Sequence, residues 1–174
     1  DHIHAFRGAI GNPHVVQPLI VTISQSSELG TVYTPDEIAA LANTAHECGM
    51  LLHVDGARIA NATAHLDTSL ETMITATGVD VFTFGFSKNG ALTVEAIVVL
   101  NADFHSGLDF TIKRGMQYTS KDRFLSAQAT AMLTDDLWLH NARNANSMAR
   151  RLATGLEQHA GATITHPVES SHVF

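Results

Sequence analysis

The stretch LLHVDGARIANA, residues 51–62, decides the fold that we expect for this chain. Together with Met50, its first five residues form an apolar run that is too short and too rich in β-forming residues for a helix. The run therefore predicts a buried strand over residues 50–55. Asp55 ends that strand, and Gly56 follows it. A carboxylate at the end of a buried strand is notable, because open α/β sheets bind ligands at the carboxyl ends of their strands.

Further strands and helices are predicted along the rest of the chain. The strand segments are 18–24, 79–86 and 94–101, and the helical segments are 34–49, 68–78, 120–133 and 135–161. Buried apolar strands that alternate with amphipathic helices predict an α/β fold, with a mostly parallel sheet covered by helices on both faces. The strand at 94–101 follows a hairpin-like turn, and residues 1–18 are expected to form a loop.

The helix at residues 34–49 has the clearest boundaries. Thr34 is the expected N-cap, Pro35 stands in the first turn and Glu37 completes a capping box. Gly49 is expected to end the helix. These signals place a helix between the first two parallel strands.

A long helix is expected after Thr134, its predicted N-cap, and before Gly161. At roughly 24 residues it would be about 36 Å long. Its predicted buried stripe consists of Ala145, Met148, Leu152 and Leu156. A helix of this length often bridges two lobes, so we expect residues 1–133 to belong to a large domain and residues 134–174 to begin a small C-terminal domain.

The composition restricts the class of protein. The 174 residues are 45% hydrophobic with a mean hydropathy of +0.07, which is typical of a globular chain. Seventeen acidic and ten basic residues leave a net charge of −7, which argues against nucleic-acid binding. No apolar run reaches the roughly 18 residues of a membrane span. The chain lacks an initial methionine and ends in ESSHVF, so we expect a piece of a larger protein.

A single cysteine, Cys48, excludes an internal disulfide and favours a reducing, cytoplasmic location. No secretory signal is visible in the sequence.

Lys88 is the second chemical group of interest. It lies in FGFSKNGA, residues 84–91, at the carboxyl end of the strand that follows Asp55. Their separation suits one strand–helix–strand unit, so parallel strands would bring Asp55 and Lys88 to one edge of the sheet. Simpler interpretations remain open: Asn89-Gly90 is a hairpin-turn signal, Asp55 could start a turn, and Arg58 could form a local salt bridge.

An acid and a lysine in one cleft suit pyridoxal 5'-phosphate. The aldehyde of this cofactor forms a Schiff base with a lysine, and its ring nitrogen needs a carboxylate that keeps it protonated. The lysine must first lose its own proton, which burial or a neighbouring cation favours.

The sequence also resembles a known family. The stretches SQSSELGTVYTPDEI, LHVDGARIANA, FGFSKNG and the segment from Ser120 to Leu156 are similar to the threonine aldolases. These belong to the β-eliminating lyase group of fold-type-I pyridoxal-phosphate enzymes, with a large domain like that of aspartate aminotransferase. The resemblance covers nearly the whole chain.

The resemblance implies a role for several residues. Lys88 would hold the cofactor as a Schiff base, and Asp55 would pair with the pyridine nitrogen. Arg58 would lie near the ring hydroxyl, and Ala57 would pack under the ring. Ser87 would touch the phosphate.

Three further residues are pocket candidates. His53 shares the strand face of Asp55, and it is either a cofactor neighbour or a satisfied buried histidine. Glu28 and Thr31 follow the first strand and are expected to point at the same edge.

The chain departs from the family pattern near the lysine and beyond the strands. Gly85-Phe86-Ser87 stands where the most similar subgroup has Gly-Gly-Thr, and ALTVEA replaces a run of small residues. The family's glycine-rich phosphate turn and substrate-binding arginine are not found in this sequence. The ring-stacking histidine that the family proposes as a base is also absent, and none of the 11 histidines is assigned that role from the sequence.

The resemblance implies an enzyme, an aldehyde-lyase that cleaves a threonine-like β-hydroxy-α-amino acid to glycine and an aldehyde. Alternatives are another fold-type-I reaction, such as β-elimination or transamination, and a catalytically silent relative. The expected partners are a small amino-acid substrate and further copies of the chain in a dimer or tetramer. Neither nucleic acid nor a membrane is expected as a partner.

Other motifs are weak. His2 and His4 could suggest a metal, but paired histidines near a terminus are usually solvated, and there is no HExxH pair or cysteine cluster, so no metal site is predicted. A basic cluster of Lys113, Arg114, Lys121 and Arg123 is a solvated face or a subunit contact near the phosphate.

Overall fold

A computed structural model describes residues 2–174. Its strands form one four-stranded sheet in the order β1-β2-β3-β4. They are β1 Ile20–Ser24, β2 Leu51–Asp55, β3 Val81–Gly85 and β4 Glu95–Val99. The first three strands run parallel, and β4 pairs antiparallel with β3. The predicted mostly parallel sheet, with a final hairpin strand, is confirmed.

Seven α-helices accompany these strands within residues 2–174. They are α1 His2–Ala5, α2 Pro35–Glu47, α3 Ile59–Leu66, α4 Leu70–Met73, α5 Leu108–Arg114, α6 Arg123–Leu133 and α7 Leu137–Glu157. The sequence did not predict α1, α3 or α5. Residues 2–5 are helical, so the loop predicted over 1–18 is wrong there, and residue 1 lies outside the described residues. The helix predicted over 68–78 is divided into α4 and a 3-10 turn at Thr75–Thr77.

The predicted boundaries of α2 are confirmed. The Thr34 hydroxyl accepts the Glu37 N–H at 3.3 Å, and the Glu37 carboxylate accepts the Thr34 N–H at 2.8 Å. Gly49 follows the helix with a φ of 72°, a left-handed conformation that glycine adopts without steric cost. The capping box and the glycine thus limit the helix to the connection between β1 and β2.

The core lies on one face of the sheet. Alternate side chains of β2 and β3 point to this face and meet apolar side chains of α2, α3 and α7. The buried members are Leu52, Val54, Phe82 and Phe84 of the sheet with Ile38, Ala42, Ile59, Ala62, Trp138 and Ala142 of the helices. On the other face Ile20 is 53% exposed and Ile97 is 73% exposed. Within residues 2–174 helices therefore cover one face of the sheet, whereas the sequence predicted helices on both faces.

The start of the long helix differs from the prediction. Thr134 is not its N-cap: it begins a 3-10 turn, Thr134–Asp136, and its hydroxyl donates to the carbonyl of Thr130 at 2.8 Å. The residue before α7 is Asp136, with a φ of 55°. The helix has 21 residues and is therefore about 32 Å long.

The predicted buried stripe of α7 is also wrong. Met148 is 46% exposed and Leu152 is 55% exposed. The buried face consists instead of Trp138, Ala142, Asn146, Ala149 and Ala153. Small residues let α7 approach α3 closely, and the amide of Asn146 exchanges two 2.9 Å hydrogen bonds with Asn61 in that interface. Because most of the residues in this interface are small, no stripe of large apolar side chains marks it in the sequence.

Because Trp138 and Ala142 belong to the core of the sheet, α7 is packed on the same unit as the strands. The division of the chain at residues 133 and 134 stays a prediction.

Candidate active site

The carboxyl ends of β2 and β3 lie side by side. The N–H of Gly85 donates to the carbonyl of Gly56 at 3.0 Å. A Cβ at Gly85 would lie 2.5–2.7 Å from backbone atoms of Ala57, which is closer than the Cβ of a residue approaches atoms outside its own part of the chain. Glycine is therefore required at position 85, and it brings the segment that carries Lys88 against the loop that follows Asp55.

Asp55 has one fixed and one free carboxylate oxygen. Its Oδ1 accepts the Ala57 N–H at 3.0 Å and the Thr83 hydroxyl at 3.3 Å. The same hydroxyl accepts the Gly56 N–H at 2.9 Å. Oδ2 has no hydrogen-bond partner among residues 2–174. The arrangement holds the carboxylate in one orientation and leaves an acceptor for a ligand.

Arg58 does not form the local salt bridge with Asp55 that the sequence left open. Its Nη1 lies 3.7 Å from Oε1 of Glu28, in the loop that follows β1. Thr31, the other pocket candidate of that loop, shares a 2.7 Å hydrogen bond with Ser27. Glu28 therefore reaches the loop after β2, whereas the Thr31 hydroxyl is engaged within its own loop.

Lys88 lies in a 3-10 turn, Ser87–Asn89, just beyond β3. It is exposed and forms no ion pair or hydrogen bond with the described residues. The chain reverses here into β4, with Gly90 at a φ of 126°. The structure thus agrees with the turn interpretation of Asn89-Gly90, and it places the exposed Lys88 beyond the carboxyl end of β3.

Phe86, the bulky residue near the lysine, is only 2% exposed. Its ring packs in the core, 4.4 Å from the ring of Phe84 between centroids. The departure from the family pattern at this position therefore adds to the core.

The remaining predicted residues surround the same edge. His53 lies two residues before Asp55 on the same face of β2 and is partly exposed. The Ser87 hydroxyl donates to the carbonyl of Val94 at 3.3 Å. Ala57 contributes the N–H that fixes Asp55. The ligand contacts assigned to His53, Ala57 and Ser87 stay predictions.

Sequence reasoning missed the segment near the end of the chain. The Glu169 carboxylate accepts the Val32 N–H at 2.7 Å, which fastens this segment to the loop after β1. The buried Ser170 hydroxyl lies 3.0 Å from Nδ1 of His172, and the His172 ring stacks on Phe174. No motif marks these residues, because only tertiary packing brings them to the loop that carries Glu28.

His172 is electrostatically coupled to the candidate site. Burial lowers the pKa of His172, and the positive charges of Arg58 and Lys88 lower it further, whereas Glu28 raises it. The net effect is a lowered pKa, so the imidazole is neutral at neutral pH. His172, Arg58, Lys88 and Glu28 therefore belong to one cluster of titratable groups.

A second unpredicted group is the hydroxyl of Ser26, in the loop that leaves β1 at this edge. Ser26 is 2% exposed, and its Oγ has no hydrogen-bond partner among the described residues. Buried polar atoms without partners are rare, which singles out this loop as a place where a ligand could complete the bonding.

Other predicted features lie away from this edge. Within residues 2–174 no three acidic, histidine or cysteine side chains form a metal-binding group. Nδ1 of His4 lies 3.6 Å from the Cys48 sulfur. The four basic residues lie in and around α5 and at the start of α6, all exposed. No helix within the described range is long and apolar enough to cross a membrane.

The fold defines an α/β protein that carries an oriented carboxylate, an arginine and a lysine where its parallel strands end, the place where open α/β sheets bind ligands. Comparison with known proteins identifies the family. A profile described as beta-eliminating lyase matches residues 3–174. The chain belongs to the beta-eliminating lyase family.

Individual relatives are threonine aldolases. A low specificity L-threonine aldolase of Pseudomonas aeruginosa is 43% identical over 161 residues, which are 92% of this chain and 46% of the relative. A second, from a Pseudomonas species, is 40% identical over the same shares. The structure of Leishmania major threonine aldolase matches with a TM-score of 0.87 and 30% identity, over 97% of this chain and 49% of that one. The chain spans about half the length of these relatives.

Proposed function

We propose that the protein containing this chain is a pyridoxal-phosphate-dependent aldolase. It would cleave the Cα–Cβ bond of a threonine-like β-hydroxy-α-amino acid, giving glycine and an aldehyde. The observation that carries the proposal is the free Oδ2 of Asp55 at one strand end, with Lys88 beyond the adjacent strand end. The threonine aldolases of Pseudomonas, with 43% and 40% identity, support the substrate class.

The residues present fit this cofactor. Asp55 offers an oriented carboxylate oxygen without a partner among residues 2–174, and Lys88 offers an amine that no described side chain engages. When bound, pyridoxal phosphate supplies a protonated ring that accepts the electron pair of the broken bond. The Asp55 carboxylate would hold the proton on the ring nitrogen, and the Lys88 amine would hold the cofactor through its aldehyde group.

Arg58 would place its charge beside the ring hydroxyl and favour the phenolate. Ala57 would lie under the ring, Ser87 near the phosphate, and His53 next to the cofactor on the strand face of Asp55. Their support is position: Ala57 and Arg58 follow Asp55 directly, His53 shares its strand face, and Ser87 precedes Lys88.

His172 is our candidate for the group that receives the proton of the substrate's β-hydroxyl. When Nδ1–H donates to the Ser170 hydroxyl, Nε2 is left as an acceptor. The lowered pKa of His172, caused by burial and by the charges of Arg58 and Lys88, keeps Nε2 unprotonated at neutral pH. A general base needs this state.

Replacement of Lys88 and Asp55 in the full-length protein tests the proposal. Lys88→Ala should abolish the absorbance of the lysine-bound cofactor near roughly 420 nm. Asp55→Asn should retain cofactor but lose activity by about a hundredfold or more. Asp67→Asn is the control, because Asp67 only forms a surface pair with Arg143. Persistence of the band in Lys88→Ala would overturn the assignment of the lysine.

Product analysis identifies the reaction. We expect glycine and acetaldehyde in equal amounts from threonine. Ammonia with an oxo acid would indicate β-elimination, and amino transfer to an oxo acid would indicate an aminotransferase. A colourless protein after cofactor is added would indicate a catalytically silent relative.

We also propose a cytoplasmic homo-oligomer, a dimer or tetramer. The buried, unpaired Cys48 suits a reducing compartment. Large apolar side chains near the basic cluster are exposed, with Phe110 at 74%, Met116 at 87% and Phe124 at 62%, as expected of a surface that a second copy covers. Light scattering of the full-length protein should give a mass of at least two subunits, and a monomer would contradict the proposal.

A further inference from the structure

The backbone on either side of Lys88 is held by two residues from other elements. On the N-terminal side, the Glu95 carboxylate of β4 accepts two backbone hydrogen bonds. Its Oε2 accepts the Phe86 N–H at 3.0 Å, and its Oε1 accepts the Ser87 N–H at 3.1 Å. Hydrogen bonds to a charged acceptor are about twice as strong as neutral ones. Glu95 therefore fixes the two peptide groups that lead into the lysine.

On the C-terminal side, α7 holds the residue that follows the lysine. The Asn141 amide donates to the Asn89 carbonyl at 2.9 Å, and the Asn89 amide donates to the Trp138 carbonyl at 2.7 Å. Gly90 completes the contact, because a Cβ there would lie 3.1 Å from the Asn141 nitrogen. Two hydrogen bonds in opposite directions define both the distance and the orientation of the turn relative to α7.

The Lys88 side chain itself is engaged by no residue in the described range 2–174, so its reach is determined by where the turn places its Cα. A long, flexible side chain loses less entropy on bonding when its backbone is already fixed. We propose that Glu95 and Asn141 are positioning residues that hold the Lys88 turn for covalent attachment of the cofactor. This inference rests on the proposed function of Lys88.

The chain contains matched comparisons for both residues. Gln128 of α6 accepts the N–H groups of Leu92 and Thr93 in the same β3–β4 connection, but farther from the lysine. Asn146 of α7 donates to the Asn61 carbonyl at 2.9 Å, as Asn141 does to Asn89, but in the interface with α3. If Glu95 and Asn141 only stabilise the fold, their substitution should affect cofactor attachment no more than substitution of Gln128 and Asn146. If they position the lysine, their substitution should impair attachment at Lys88 more.

The experiment uses the full-length protein stripped of cofactor. Glu95→Gln, Glu95→Ala and Asn141→Asp are compared with Gln128→Ala and Asn146→Asp. Pyridoxal phosphate is then added, and the growth of the lysine-bound absorbance gives a rate of attachment and an apparent Kd. The melting temperature before addition measures structural damage alone, and Asn141→Ala and Asn146→Ala serve where an aspartate prevents folding.

We expect Glu95→Ala and Asn141→Asp to slow attachment and to raise the apparent Kd by about tenfold each. The two controls should lower the melting temperature by as much or more and leave the attachment rate within about twofold. If the wild type binds cofactor but variants and controls attach it at equal rates, the inference is wrong. A wild-type protein that never forms the band would instead overturn the proposed function.

Discussion

The guanidinium of Arg58 lies 3.7 Å from the carboxylate of Glu28, and this pair joins the loop after β1 to the loop after β2. The Glu28 side chain is 78% exposed and that of Arg58 is 21% exposed. Such an exposed pair contributes little stability. Its consequence is electrostatic, because the same two charges act on the pKa of His172 in opposite directions.

Glu28→Gln should therefore lower the pKa of His172. The Glu28 carboxylate raises that pKa, while burial, Arg58 and Lys88 lower it, so removal of the carboxylate leaves only the lowering causes. Stability should change by less than about 0.5 kcal/mol. Titration of the His172 ring by NMR in the full-length protein measures the shift, with His140 as a reference. An unchanged or raised pKa of His172 would show that the Glu28 carboxylate does not act on His172 as described.

His172→Asn should reduce turnover while the cofactor still binds. If Nε2 receives the hydroxyl proton, loss of the general base should cost about a hundredfold in kcat. Because the pKa of His172 is lowered, the wild-type activity should persist to a lower pH than an ordinary histidine would allow, and fall once Nε2 is protonated. The pH profile of kcat checks this. A variant with full kcat and an unaltered acid limb would exclude His172 as the base.

Asp80 should make stability depend on pH at the opposite edge of the sheet. Burial alone would raise the pKa of Asp80, but hydrogen bonds from His46, the Leu52 N–H and Asn101 outweigh it, and the pKa is lowered. The distances are 2.9, 2.8 and 2.7 Å. A lowered pKa stabilises the folded state above the ordinary value of 3.8, and this contribution is lost as the pH falls through the folded pKa.

Asp80→Asn should accordingly cost about 2 kcal/mol at pH 7, with a smaller difference from wild type below pH 4. Urea unfolding of the full-length protein at several pH values measures this. Asp67→Asn is the exposed counterpart, and we expect it to be nearly neutral. A constant difference between Asp80→Asn and wild type across the acid range would contradict the linkage.

Gly85→Ala and Gly155→Ala should have opposite effects on stability. At Gly85 a Cβ would lie 2.5–2.7 Å from the Ala57 backbone, whereas at Gly155, inside α7, it would meet nothing within 4 Å. We expect a loss of about 2 kcal/mol or more at position 85 and a gain of about 1 kcal/mol at position 155. Thermal unfolding compares the two, and a harmless Gly85→Ala would mean that the two strand ends are not packed as described.

Much of the sheet could be predicted from local sequence signals. Short runs of apolar and β-forming residues specify β1, β2 and β3. The capping box at Thr34 and Glu37 specifies the start of α2, and Gly49 specifies its end. These features are governed by interactions within a few residues. The edge that carries Asp55 and Lys88 was predictable for a related reason: parallel strands place their carboxyl ends together whatever the rest of the fold does.

The buried face of α7 and the surroundings of the site could not be predicted in this way. The helix buries Ala142, Asn146 and Ala149 and exposes Met148 and Leu152, because α3 approaches so closely that only small side chains fit. No local sequence pattern indicates how closely α3 and α7 pack.

By itself, then, the sequence determined where the parallel strands lie, that an acid ends one of them and that a lysine follows the end of the next. Only the tertiary structure decided that Glu28 meets Arg58, that Glu95 and Asn141 hold the lysine turn, and that His172 joins the cluster. The physical reason is the distance along the chain over which each kind of interaction acts. Backbone propensities and caps act over one or two turns of chain, whereas these contacts join residues of different elements, which meet only after the strands, loops and α7 have packed.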